Sequence, residues 1–424
     1  MVPIWARPYL AAAALAWTGR VALDRFRSLA LAMLAQAGPF FSASIMLSVG
    51  VVNVEPLTMA AAFWVAGLVL RRVANPARDL YRARQLVWAG IACGFGVAAK
   101  LTFLPVCLLP LLMVGLSARR LALFAAISFT ALIGFTITGA QDYVGFLKLM
   151  VQRMAEPPVE GGRPGLAAEA AVLVGANAYL YGLLAGSVAV ALLLMMRREI
   201  RRLPETGLIL LIGLVNLGQI IVVYSQAQSR YMVPAWVIGG LAPALVLHLL
   251  IHQICDNRPA ARWAATLLAV AVTGWAVLAT ANGVAVSREA FLKSRAMTMA
   301  ATRIVQRDFG DCRLVTYYRS NDPFAALAFG QGFSGVLWVR LGHVLTEVYG
   351  RRYHFEISAN QLRDWNGPVT WEELRGQAPC VVFRGTGWPP LEDGSLGFVF
   401  DDVCRLPGDE RLYVSGRHCP GGER

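Results

Sequence analysis

Charge is scarce in this chain: Asp, Glu, Lys and Arg make up only 15% of 424 residues, against 57% hydrophobic ones. Soluble domains carry about 25% charged residues, so the composition excludes an ordinary soluble protein and points to a membrane one. Lysine is almost absent, with Lys100, Lys148 and Lys293 the only examples among 39 basic residues. A nucleotide-binding signature is also lacking. There is no Walker sequence, and "GQGFSG" (330–335) does not follow a strand and open a helix, so a soluble nucleotide-sugar donor is not indicated. His248 and His252 stand four apart with no acid or cysteine arranged around them, which excludes a recognisable metal motif. The opening "MVPIWARPYLAAAALAW" has no basic start and no small-residue cleavage site, unlike a signal peptide.

What is present is a series of apolar runs near 3–19, 28–52, 55–70, 86–99, 101–117, 121–140, 167–196, 206–225, 230–251 and 263–286. A bilayer core of about 30 Å needs about 20 such residues per helix, so about eight to ten membrane segments are expected in 1–286. No further spanning run follows, and 287–424 reads as a separate soluble domain. The net charge of +13 could suggest nucleic acid, but residues 287–424 balance 17 basic against 16 acidic residues. The excess lies in 1–286, and 16 of its 22 basic residues fall in five clusters: Arg20/Arg25/Arg27, Arg71–Arg84, Arg119/Arg120, Arg197–Arg202 and Arg258/Arg262. The positive-inside rule makes these loops cytoplasmic and leaves no basic face for nucleic acid. The opposite loops, around Glu55, Lys100, 141–165 and Arg230, are then outside, together with the tail. This sidedness puts the start of 3–19 outside. Either 3–19 does not span, or the chain lacks an upstream helix; the second is the favoured expectation.

Within "GIACGFGVAAKLTFLPVCLLPLLMVGL" (90–116), Lys100 is the single charge. Residues 86–117 would form a helix of about 48 Å at 1.5 Å per residue, too long for one crossing. Two segments meeting near the outer surface, with Lys100 at their apex, resolve this. Lys100 then either snorkels at a helix end or meets an anionic group such as a phosphate. Glu55, just before an apolar helix, is either a carboxylate at a positive helix end or a base for a hydroxyl. Arg230 and Tyr231, in "SRYMVPAW", either anchor the interface or clamp a phosphate.

These stretches resemble the integral-membrane glycosyltransferases of the GT-C type, which include the protein O-mannosyltransferase-like group, the lipid A aminoarabinose transferase and the rhizobial galacturonosyltransferases. "NVEPLTMAAAFWVAGLVL" is similar to their second outer acidic motif, "GFGVAAKLTFLP" to their Gly-rich helix with an outer lysine, and "SRYMVPAW" to their Arg-Tyr-x-x-Pro element. The likeness covers about 28–245. It implies an all-α polytopic membrane domain with a small C-terminal extracytoplasmic α/β domain, in the inner membrane. The implied reaction moves a sugar from a polyprenyl-phosphate donor to a lipid, glycan or protein acceptor. Glu55 takes the catalytic acidic position, and Lys100, Arg230 and Tyr231 the phosphate side. No cofactor is assigned, and a divalent metal stays open. The family's principal acid, in its first outer loop, has no counterpart: Asp24 lies in an Arg-rich loop. A truncated start or an inactive relative would explain that. A transporter or lipid flippase is the other alternative, disfavoured because the charges gather at one rim and no internal repeat is found.

In the outer loop, "DYVGFLKLMVQRM" (142–154) reads as an interfacial helix, followed by the turn-rich "EPPVEGGRPG". In the tail, strands are expected at 312–318, 335–341, 380–385, 397–403 and 411–416, and a short helix in "NDPFAALAFG" (321–330). Cys312, Cys380, Cys404 and Cys419 are compatible with two disulfides of unreadable connectivity. Trp338, Trp365, Trp371 and Trp388 suit a core better than a sugar-binding surface. Asp401 and Asp402 receive no role.

Overall fold

The computed structural model describes residues 6–43, 45–46, 55–74, 79–115, 117–137, 166–201, 203–223, 229–255, 258–318, 347, 353–356, 361–364, 368–376, 378–386, 400–407 and 411–420. The expected interfacial helix of 142–154, the strand at 335–341, the helix at 321–330 and Trp338, Trp365 and Trp388 lie outside them. The chain divides into two compact units that part between Val286 and Ser287.

The first unit is helical. Its elements are α1 (Arg7–Phe26), α2 (Leu29–Ala35), α3 (Glu55–Ala74), α4 (Asp79–Ala99), a 3-10 helix (Leu101–Leu108), α5 (Leu111–Val114), α6 (Ala118–Thr136), α7 (Leu166–Gly175), α8 (Ala178–Leu194) and α9 (Pro204–Val223). A 3-10 turn (Ser229–Met232), α10 (Val233–Trp236), α11 (Leu241–Leu249), a π-helical turn (Leu250–Ile254) and α12 (Pro259–Asp308) follow. Among the described residues five stretches are long and apolar enough to cross a membrane, or six if α7 and α8, bent by 102°, count as one. α6 shows why a bilayer is needed: Leu121, Leu123, Phe129, Ile133 and Phe135 all face outward. Exposed apolar side chains on this scale are tolerated against lipid, not water. The protein is a multi-pass membrane protein.

Small residues set the closest packing. Ala11, Ala14, Thr18 and Ala22 bury one stripe of α1, at the spacing that lets helix backbones approach. The Thr18 hydroxyl donates to the Phe63 carbonyl of α3 at 2.7 Å, and the Trp17 ring covers Gly67, where a Cβ would stand 2.3 Å from it. Further along, Arg20, Arg25 and Arg27 line a cavity with Arg71. α1 and α3 are therefore parallel, both ending at one basic pole. α9 starts at that pole, where Arg25 pairs with Glu205, and ends at the other. The 3-10 helix and α5 run antiparallel to it, with Pro105 beside Gly218 and Leu112 beside Gly207.

Several expected boundaries move. Arg20 and Arg25 belong to α1 rather than to a loop, because the helix runs on to Arg27, whose positive φ of 50° and bond from its N–H to Leu23 O close it. Arg82 and Arg84 likewise lie inside α4. Long arginine side chains let a helix end reach the interface without uncoiling. The run 28–52 is not one helix: α2 ends at Ala35, and Gly38–Phe41 forms a 3-10 turn around Pro39. Nor does helix end at 286, since α12 continues to Asp308.

The second unit is built on a six-stranded sheet, β1 (Arg313–Tyr318), β2 (Tyr353–Glu356), β3 (Gln361–Arg363), β4 (Val381–Thr386), β5 (Asp402–Arg405) and β6 (Arg411–Ser415), with α13 (Trp371–Arg375) between β3 and β4. Strand order is β3-β2-β1-β4-β6-β5; β1 is parallel to β2 and β4, and the other pairs are antiparallel. Alternation gives the sheet two buried faces. Val315, Val381, Phe383 and Tyr413 join Leu374 and Trp371 on one face, and Val382, Leu412 and Val414 join Ala301 and Val305 of α12 and Phe309 just beyond it on the other. Trp371 is thus core, between Phe355 and Phe383. Cys312 pairs with Cys380 at the starts of β1 and β4, and Cys404 with Cys419. This is the expected architecture, a helical membrane part and a small α/β part, although β2, β3 and α13 are additions to the strands expected and β5 begins later than the apolar run suggested.

Candidate functional site

Glu55 is the first residue of α3 and is fully buried. Its placement is local: the helix N-terminus favours a carboxylate, and the Thr58 hydroxyl donates to the Glu55 carbonyl at 2.9 Å. Lys100 is brought to it by a break in the chain. Its backbone is extended (φ −162°, ψ 125°); its N–H closes α4 on Gly96 O at 2.9 Å, and its carbonyl accepts from Phe103 at 2.9 Å to open the 3-10 helix. Gly96 makes that reversal possible, because Phe103 folds back onto it and a Cβ would lie 2.4 Å from the ring. From the break the Lys100 ammonium donates to Glu55 Oε1 at 2.6 Å, with side chains 13% and 1% exposed.

The Arg-Tyr element meets the same pair. Lys100 Nζ sits 4.4 Å from the centroid of the Tyr231 ring, and the Arg230 guanidinium 5.1 Å from it. The Arg230 guanidinium also donates to the Tyr231 hydroxyl at 3.4 Å. Cations over an aromatic face gain attraction without losing their donors. All four candidates therefore converge, from α3, the α4 break and the turn before α10. Their organiser is Gln219 of α9, which the sequence reading missed. It is fully buried, and its amide donates to Thr102 O at 2.7 Å and Tyr231 O at 2.6 Å. The signal for it was available: an uncharged but strongly polar side chain inside "LVNLGQIIVV" needs a partner in an apolar span.

The cluster is not satisfied by itself. Glu55 Oε2, Thr102 Oγ1, Gln219 Oε1 and Arg230 Nε are all buried with no hydrogen-bond partner among the described residues. Buried polar atoms are nearly always bonded, so these four atoms leave hydrogen-bonding capacity for a polar group outside the described residues. The described residues of the cluster do not by themselves form a divalent-metal site. Hard cations take several oxygen ligands, whereas the single carboxylate among the described residues of the cluster is already bonded to a lysine.

The other sequence candidates fall elsewhere. Asp24 lines the basic-pole cavity. His248 and His252 stack at 4.3 Å near the same pole. Asp401 and Asp402 accept bonds from the backbone N–H groups of Gly416, Val403 and Cys419, a structural use. Asp311, Cys312 and Cys380 come together, but both sulfurs are in a disulfide and Asp311 pairs with Arg417 at 2.6 Å. Asp142, Lys148, Arg153, Glu156 and Glu160 lie outside the described residues.

No protein-family model matches the chain, and no curated protein matches it either. Solved structures do. The fold resembles ArnT from Cupriavidus metallidurans in the apo state, with a TM-score of 0.55 at 11% identity, covering 97% of this chain and 83% of that one. It also resembles the same protein bound to undecaprenyl phosphate, with a TM-score of 0.53 at 13% identity, covering 97% and 84%. The fold is GT-C-like. At this identity the likeness concerns the fold alone.

Proposed function

We propose that the protein is a GT-C membrane glycosyltransferase that moves a sugar from a polyprenyl-phosphate donor to a hydroxyl on a lipid, glycan or protein acceptor at the extracytoplasmic face. The observation that carries this reading is the Glu55–Lys100–Tyr231–Arg230 cluster with its four unpartnered polar atoms. The likeness to ArnT in complex with undecaprenyl phosphate supports the donor class. The disulfides of the second unit, normal in oxidising compartments, support the side.

In the transfer, the acceptor oxygen bonds to the anomeric carbon as the bond from that carbon to the phosphate oxygen breaks. The leaving polyprenyl phosphate keeps the electron pair, and Lys100 and Arg230 neutralise its charge. Glu55 takes the acceptor's proton. In the structure Lys100 occupies Glu55, so donor binding competes with that pair: a phosphate drawing the ammonium away frees the carboxylate to act as base. Gln219 holds the two cation-bearing segments at a fixed spacing.

Undecaprenyl phosphate binding to the purified full chain tests this directly. Lys100→Ala and Arg230→Ala should each weaken it by about tenfold or more, the scale of one charge-assisted contact. Glu55→Gln should leave binding intact or tighter while abolishing transfer of a labelled sugar from the same carrier. Unchanged binding in both cation variants would exclude the assignment.

A further inference from the structure

At the basic pole the helical unit holds a second cluster that sugar transfer does not use. A cavity of about 920 Å³ opens between α1, the end of α3 and the π-helical turn, with Arg20, Arg25, Arg27 and Arg71 in its wall. Arg71 is 16 positions beyond Glu55 on α3, about 24 Å along the helix, so the two sites are separate. Among the described residues Asp24 is the only acid in the lining. Arg20, Arg27 and Arg71 make no side-chain hydrogen bond or ion pair among the described residues. Arg25 pairs with Glu205, but its Nε is buried with no partner among the described residues.

Two further features set this wall apart from an ordinary basic helix end. His248 is 6% exposed, lies between Phe26 and His252 at 5.3 and 4.3 Å, and has a buried Nδ1 with no partner among the described residues. His248 thus lines the same cavity as three guanidiniums that are uncommitted among the described residues, and their planar forks match phosphate oxygens. The π-helical turn at Leu250–Ile254 carries His252 and Gln253 to that wall as well, a distortion common at functional sites.

The rest of the lining says what the anion is attached to. Trp17 of α1, half-buried and one turn further into the unit than Arg20, gives the lining an apolar wall, backed by the buried Val21 and Phe26. A free phosphate would leave that wall bare, whereas an amphipathic molecule would cover it. The geometry points to a binding site for the phosphate head group of an anionic membrane lipid, in the leaflet opposite the Glu55 cluster. By the arginine distribution that is the cytoplasmic leaflet, where anionic lipids meet basic pockets between helices. This inference does not depend on what the Glu55 cluster does.

The test is thermal unfolding of the full chain in detergent micelles doped with phosphatidylglycerol, phosphatidylcholine or inorganic phosphate. Phosphatidylglycerol should raise the Tm at a mole fraction where phosphatidylcholine does not. Arg20→Gln/Arg27→Gln/Arg71→Gln replaces three exposed side chains and should raise the half-saturating lipid concentration by about tenfold or more. Arg71→Gln alone should raise it less, and Arg119→Gln, outside the cavity, should leave it unchanged. Equal stabilisation by phosphatidylcholine, or a full response in the triple variant, would overturn the site. An equal response to inorganic phosphate would make the ligand a soluble phosphate and overturn the lipid assignment.

Discussion

Lys100 and Glu55 each occupy a position that would be costly without the other. Removing one partner of a buried ion pair typically costs about 3–5 kcal/mol, because the remaining charge stays buried, whereas removing both costs far less. Lys100→Met should therefore destabilise the protein strongly in detergent, and Lys100→Met/Glu55→Gln should recover most of the loss, while undecaprenyl phosphate binding stays weak in both. Recovery of binding together with stability would reduce the pair to a structural role. Gln219→Leu should strip the side-chain donor from Thr102 O and Tyr231 O, at about 1–3 kcal/mol for groups left unsatisfied, and weaken carrier binding although Gln219 carries no charge. Unaltered binding by that variant would show that the two segments hold their spacing without it. At this scale the sequence was legible wherever a charge interrupted an apolar run, as at Lys100 and Glu55. At Gln219 it showed only a polar side chain in need of a partner; that the partners are the Thr102 and Tyr231 carbonyls follows from the fold.

The break after Ala99 is the element on which the cluster depends. The run 86–117 was readable as two segments because one helix would be too long, and Lys100 does stand at their junction. That the second segment begins as a 3-10 helix was not readable, because it follows from Phe103 folding onto Gly96 as much as from Pro105. The arginine clusters misled boundary placement because α1 runs through Arg20 and Arg25 to its cap at Arg27, and Arg25 there finds a tertiary partner in Glu205. Gly96→Ala should force the Phe103 ring aside, with an overpacking cost of about 1–3 kcal/mol, and displace Lys100. Phe103→Leu in that background should restore part of the stability. Gly134→Ala in α6 is the contrast, since nothing lies within 4 Å of the added Cβ; it should be neutral or stabilising by helix propensity. Equal losses at Gly96 and Gly134 in a melting experiment would remove the close approach as the cause.

Over the whole molecule, two chemical poles organise the chain. Arginines from α1 and α3 collect at one end of the helical unit, while Glu55, Lys100, Arg230 and Gln219 collect at the other, and the second unit carries two disulfides. The Cys312–Cys380 bridge closes a separation of 68 residues, worth about 4 kcal/mol by chain entropy. Cys312→Ala/Cys380→Ala should therefore lower the stability of the second unit more than Cys404→Ala/Cys419→Ala, whose separation is 15. The free thiols Cys93, Cys107 and Cys255 can be replaced to give a background for labelling from one side. In right-side-out membrane vesicles, an impermeant maleimide should reach Arg230→Cys and the exposed Glu372→Cys but not Arg71→Cys, and lysis should expose the last. A polyprenyl carrier presents its phosphate at one membrane surface, so a transferase needs its base and cations on that surface together. Labelling of Arg71→Cys and Arg230→Cys from the same side would make that arrangement impossible, and with it both the transfer reaction and the assignment of the arginine cavity to the opposite leaflet.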